Sequence, residues 1–223
     1  MLLRTLSLLL LIVLCFANTE TYMLKVPRYF NISPHPEPIS LHDTLNRNIL
    51  ELNDTHSLLI NYPIESKDTQ RVQTVNNLLE IHNYNSVLAP TRTLLVKLNN
   101  YDDSTYTSED LLNIKLCWPA TLPYDFTLSH YFCKLSEIIA GIPQEIDSFD
   151  VYLRIDYQFT AHTFDPSHLH EKDSLQFQLY ITKLPISWLP IPLELYEYLM
   201  YFVDLGIIVW TMTPYLYDYL VKA

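Results

Sequence analysis

The chain has 223 residues, with 25 Asp and Glu against 14 Lys and Arg, for a formal net charge of −11. Such a chain, which holds no basic cluster, would repel nucleic-acid phosphates, so that class of partner is excluded. Its only glycines are Gly141 and Gly206, which excludes a glycine-rich phosphate loop and leaves the turns to Asn, Asp and Pro.

Residues 1–17 read as a secretory signal peptide. Arg4 precedes the apolar run Leu6 to Phe16, and Cys15-Phe16-Ala17 sets small residues ahead of a cut after Ala17. An uncleaved anchor is the alternative, although the run is short for a membrane span. Either reading delivers the middle of the chain to the secretory lumen, where the mature chain keeps Cys117 and Cys133. An even pair in an oxidising compartment predicts a disulfide, contributing about 3 kcal/mol in the chain-entropy model. Two free or strand-buried thiols are the alternative. The glycosylation triplets Asn31-Ile32-Ser33 and Asn53-Asp54-Thr55 agree with a lumenal location. Pro34 stiffens the backbone after the first, which favours Asn53.

Residues 18–183 form one predicted domain. From Thr19 to Ile39 the chain carries Pro27, Pro34, Pro36 and Pro38, so it is an extended arm or a sheet edge. Ile49 to Asn53 and Ser57 to Tyr62 read as a hairpin with Asn53 at its tip. Leu41, Leu45 and Ile49, spaced by four, permit a helix there instead. Val72, Val75, Leu78, Leu79 and Leu88 have no decisive period. Thr93 to Leu98 reads as a strand, and Asn113 to Trp118 alternates, with Ile114, Leu116 and Trp118 on one face, up to Pro119. Asp150 to Phe159 and Ser174 to Thr182 alternate most clearly, and antiparallel pairing of these two is the simplest topology. The expected fold class is mainly β, an antiparallel β-sandwich-like lumenal domain plus one C-terminal transmembrane helix.

Residues 184–194, with Pro185, Pro190, Pro192 and Trp188, form an apolar juxtamembrane connector. Residues 195–217 supply the roughly 20 mostly apolar positions that a bilayer core needs, with Glu197 and Asp204 as charges and tyrosines at both ends. Residues 218–223 are then a short cytosolic tail of a type I protein. A carboxylate near the middle of a span costs about 2.5 to 3.5 kcal/mol on insertion scales, so Asp204 reads as a contact to a partner inside the membrane. The alternative places it near the end of a tilted or broken helix, given Gly206 and Pro214.

Chemistry-bearing sets are sparse. His162, His168 and His170, with Asp165 and Glu171, are the densest possible metal ligands, but their spacing matches no metal motif and a solvated loop is the preferred reading. Glu137, Glu145 and Asp147 read as a solvated acidic face. No nucleophile elbow of the Gly-x-Ser-x-Gly type occurs. The expectation is a protein without catalytic residues, metal or cofactor.

One segment carries a family likeness. Trp118, Pro119, Ala120, Thr121 and Pro123 form a Trp-Pro-Ala-Thr-x-Pro motif. It resembles that of the fungal co-activator subunit of GPI mannosyltransferase II, a small endoplasmic-reticulum glycoprotein with a signal peptide, a lumenal domain and one C-terminal span. The order of segments agrees along the whole chain. The resemblance implies a non-catalytic subunit that stabilises or activates a multi-spanning mannosyltransferase, the enzyme adding the second mannose in GPI-anchor biosynthesis. From the residues alone, Trp118 ends a core strand while Pro119 and Pro123 force a rigid turn. A different class is a single-span lumenal binding module, such as a cargo receptor or lectin-like chaperone. A third is a GPI-anchored surface protein, against which stand Asp204 and the polar, aromatic finish of the chain.

Overall fold

The structure is a computed structural model that describes residues 17–34, 49–53, 57–64, 72–75, 77–100, 105–138, 149–161, 173–186 and 188–222. The body of the signal segment, the histidine loop from His162 to Glu171, and Glu145 and Asp147 lie outside the described residues. The strands are β1 (Ala17–Lys25), β2 (Ile49–Asn53), β3 (Ser57–Tyr62), β4 (Val72–Val75) and β5 (Leu78–Tyr84), then β6 (Arg92–Leu98), β7 (Leu111–Pro119), β8 (Tyr124–Lys134), β9 (Phe149–Phe159) and β10 (Asp173–Lys183). A single-turn helix α1 (Leu135–Ile138) follows β8, and a long helix α2 (Tyr196–Lys222) closes the chain. The chain divides into two units, Met1–Lys183 and Leu184–Ala223.

The first unit is a sandwich of two five-stranded sheets, ordered β1-β7-β10-β5-β4 and β2-β3-β6-β9-β8. Alternation along the strands builds the core. Leu112, Ile114, Leu116 and Trp118 of β7 are buried in one cluster with Leu175, Phe177, Leu179 and Ile181 of β10, and with Leu153, Ile155 and Tyr157 of β9 from the other sheet. Burial of apolar area at about 25 cal/mol per Å² is what holds the sheets face to face. Neighbouring strands pair antiparallel except β3 and β6, which run parallel. Parallel neighbours need a long crossover, and here the β4–β5 hairpin of the opposite sheet supplies it.

Most expected strands are present. β2 and β3 pair as the predicted hairpin, with Asn53 opposite Ser57, and the proline-rich arm begins as the edge strand β1. The predicted pairing of β9 with β10 is corrected. β9 lies between β6 and β8, and β10 lies between β7 and β5 in the other sheet. Both strands have one apolar face, and a long connector lets those faces meet across the core instead of side by side. Scarce glycine also has a visible cost. Left-handed φ values fall on Asn77 (64°), Ala89 (42°) and Glu109 (70°), of which only Asn tolerates that region readily.

In the second unit, residues 184–186 and 188–192 run without regular structure apart from turns, and Leu193–Leu195 form a 3-10 turn before α2. The 27 residues of α2 would extend about 40 Å. Among the described residues no helix is both long and apolar enough to cross a membrane. Pro214 lies inside α2 and removes a backbone donor there, while Thr213 Oγ1 donates to the Val209 carbonyl at 2.7 Å.

Candidate functional site

The Trp118–Pro123 turn is where the chain leaves one sheet for the other. Trp118 faces inward at the end of β7, 8% exposed, with its ring 4.6 Å from that of Phe126. Phe126 in turn meets Phe177 at 5.4 Å. Pro119 has no N–H to continue the ladder, and its carbonyl accepts from Leu122 N at 3.0 Å. The Pro123 carbonyl accepts from Thr160 N at 2.9 Å, tying the turn to the end of β9. Trp118 is therefore an anchor, while Pro119, Ala120, Thr121 and Pro123 stand exposed.

A tyrosine knot holds the same end of the sandwich. The Tyr84 hydroxyl donates to the Pro90 carbonyl at 2.7 Å and accepts from Phe159 N at 2.9 Å. The Arg92 guanidinium sits 5.0 Å from the Tyr84 ring centre. Burial is the main cause raising the Tyr84 pKa, and it pushes Tyr157 up to about 12, so both hydroxyls stay protonated at neutral pH. The knot fixes the loop from Asn85 to Pro90, which presents Val87 and Leu88, 52% and 77% exposed.

Beside the turn is a cavity of about 280 Å³, lined by Leu78, Cys117, Trp118, Pro119, Gln176, Phe177 and Gln178. The motif residues were legible from the sequence. Gln176, Gln178 and Leu78 were not, because only the register of β10 against β5 and β7 brings them to Trp118.

The remaining predicted residues do not gather at this place. Cys117 and Cys133 are free thiols, which corrects the expected disulfide. Cys117 alternates with core-facing Leu116 and Trp118 and so faces out of the first sheet, where it accepts from Thr19 Oγ1 at 3.7 Å. Cys133 packs on Leu59, Leu95, Leu135 and Tyr152 at the outer face of the second sheet. Two stacked sheets about 10 Å apart separate the thiols, and a disulfide needs Cα atoms within about 7 Å.

Asn31 is exposed, and its triplet partner Ser33 donates to Asp150 Oδ1 at 2.5 Å. Asp150, 1% exposed, is ion-paired with Lys97 Nζ at 2.6 Å. Asn53 ends β2. Asp204 lies within α2 and is exposed. Among the described residues no three His, Cys, Asp or Glu side chains converge as a metal site.

Comparison with curated proteins and with solved structures yields no match. The family model described as GPI-Mannosyltransferase II co-activator matches residues 8–215, a stretch that takes in the sandwich, the motif turn and most of α2. The chain belongs to the GPI-mannosyltransferase II co-activator family.

Proposed function

We propose that the chain is a non-catalytic subunit that stabilises or activates the mannosyltransferase adding the second mannose to the GPI precursor in the endoplasmic reticulum membrane. Family membership supports the co-activator role. The observation that carries the mode of action is the surface of α2. Leu199, Met200, Phe202, Val203, Leu205, Ile207, Ile208, Val209 and Trp210 are all exposed, a long run of apolar surface on one helix. An exposed apolar surface of this extent is a site for burial against protein or lipid.

Asp204 is the only charge between Tyr198 and Tyr217. It makes α2 a poor span by itself and a good one beside a partner, since an intramembrane carboxylate is satisfied by a polar or basic group on a neighbouring helix. On this reading the signal peptide is removed, the sandwich is lumenal, glycans are carried at Asn31 or Asn53, and α2 packs against the multi-spanning enzyme. The exposed Val87–Leu88 loop offers the sandwich a second contact.

The test is a detergent pull-down from membranes, comparing the native chain with Asp204→Leu. The native chain should co-isolate a mannosyltransferase and the variant should lose it. Equal recovery with both would remove Asp204 from the interface, and absence of any mannosyltransferase would defeat the co-activator reading.

A further inference from the structure

All four charged residues of α2, Glu197, Asp204, Asp218 and Lys222, occupy positions on one side of it. Glu197, Asp204, Thr211 and Asp218 recur at intervals of seven residues, and Tyr201, Ile208, Tyr215 and Lys222 each stand four residues further on. At roughly 100° per residue, that spacing gathers both sets into an arc of about 100°. α2 continues through Pro214 as one helix, so the row runs its full length. Glu197, Tyr201, Asp204, Ile208, Thr211 and Tyr215 are all exposed.

The opposite side of the helix carries no charge. Between Leu199 and Thr213 it holds Phe202, Gly206 and Val209, and the Thr213 hydroxyl is already donated to the Val209 carbonyl at 2.7 Å. Charges spread round the axis would leave a helix no side fit for lipid. Their segregation gives α2 two different sides, an acidic row and an apolar back.

The positions of Glu197 and Asp218 are about 30 Å apart along the helix, which is the thickness of a bilayer core. Seated across that core, α2 sets these two positions at the water interfaces and Asp204 alone about 10 Å inside. A carboxylate at such depth faces protein or a wet cavity. Lipid alone leaves it unpaired. A second copy packed in parallel through the same row would set Asp204 against Asp204, and like charges at close range repel. A neighbouring helix that carries a cation at this depth satisfies it.

We propose that α2 docks through this row on one transmembrane helix of the mannosyltransferase, and that this helix carries a lysine or arginine opposite Asp204. A repeat averaging 3.5 residues keeps one seam against a neighbour in a left-handed crossing of about 20°, a geometry common in membranes. The contact then follows Glu197, Tyr201, Asp204, Ile208 and Thr211, while Phe202 and Val209 face lipid. Only the partner's identity rests on the co-activator reading. A different protein held by the same row would overturn that reading, whereas the enzyme held by another side of α2 would overturn the row and leave the reading intact.

The experiment places a photo-crosslinking phenylalanine analogue, one position at a time, at residues 199–213 of the full chain in native membranes. Adducts to the mannosyltransferase are expected from Tyr201, Ile208 and Thr211, and adducts to lipid from Phe202 and Val209. A second readout compares Ile208→Trp with Val209→Trp, adjacent positions that take the same bulky ring on different sides of α2. In a detergent pull-down the first should lower recovery of the enzyme about tenfold by overpacking the contact, and the second should leave it within about twofold. Asp204→Asn, which keeps the size and polarity of the side chain and removes its charge, should lower recovery about tenfold as well. Lipid adducts from Ile208 and Thr211, protein adducts from every side, or equal losses in the two tryptophan variants would each overturn the row. Full recovery with Asp204→Asn would overturn the cation opposite it.

Discussion

Tyr22 and His130 meet where the edge strands β1 and β8 of the two sheets run close, with the hydroxyl 2.5 Å from Nδ1. Burial lowers the His130 pKa below its ordinary 6.5. Since the unfolded chain then binds the proton more readily than the folded one, this contribution to stability is full above about pH 6.5 and falls as pH drops through the window beneath it. Asp110 and Glu80 act lower. Their pKa values lie beneath the ordinary 3.8 and 4.5, so their contributions fade only as pH falls through those depressed values. For Asp110 burial pushes upward but is outweighed by hydrogen bonds from Lys183 and Thr107. The thermal midpoint should therefore drop between about pH 7 and about pH 5.5 in the native chain and drop less in His130→Asn. Equal slopes in the two proteins would refute the assignment. The thiols give a second residue-scale prediction. Both should alkylate without prior reduction, Cys133 more slowly at neutral pH, because burial, then Glu137 and Asp150, raise its pKa and reduce its thiolate fraction. A protein that needs reductant before labelling would contradict the unpaired arrangement. Lys97→Met removes the cation paired with the buried Asp150 carboxylate and should cost about 3 kcal/mol in denaturant unfolding.

At the scale of elements, strand identity was legible and strand partnership was not. The period-two pattern of Val151, Leu153, Ile155 and Tyr157 marks one face of β9 as apolar and carries no information about which sheet that face belongs to. Side-by-side pairing and stacking across a core bury the same residues, so the simplest topology, antiparallel pairing of β9 with β10, fits the pattern as well as the stacking found. The Trp118–Pro119 break could be read directly, because proline cannot continue a ladder. Its neighbours Gln176 and Gln178 could not, since their position follows from register. The element with most at stake is α2. Asp204→Leu should let it insert into membranes more readily when expressed without a partner, by a gain of about 2.5 kcal/mol on insertion scales, while weakening the proposed contact with the enzyme. A glycosylation-mapping assay of insertion separates the two effects, and a variant that inserts no better than the native helix would count against a membrane-facing Asp204.

The molecule as a whole combines an acidic sandwich bearing two outward-facing thiols with a helix whose exposed side chains are mostly apolar and whose only charge between Tyr198 and Tyr217 is Asp204. The family to which the chain belongs names the enzyme it assists. The central claim is that this chain raises mannosyl transfer without performing it. The most direct measurement is transfer of mannose to a GPI precursor bearing one mannose, in membranes depleted of the chain and then supplied with the native protein or with Asp204→Leu. The account predicts that depletion lowers both transfer and the amount of the enzyme, that the native chain restores them, and that Asp204→Leu does not. Transfer and enzyme level unchanged by depletion would contradict it.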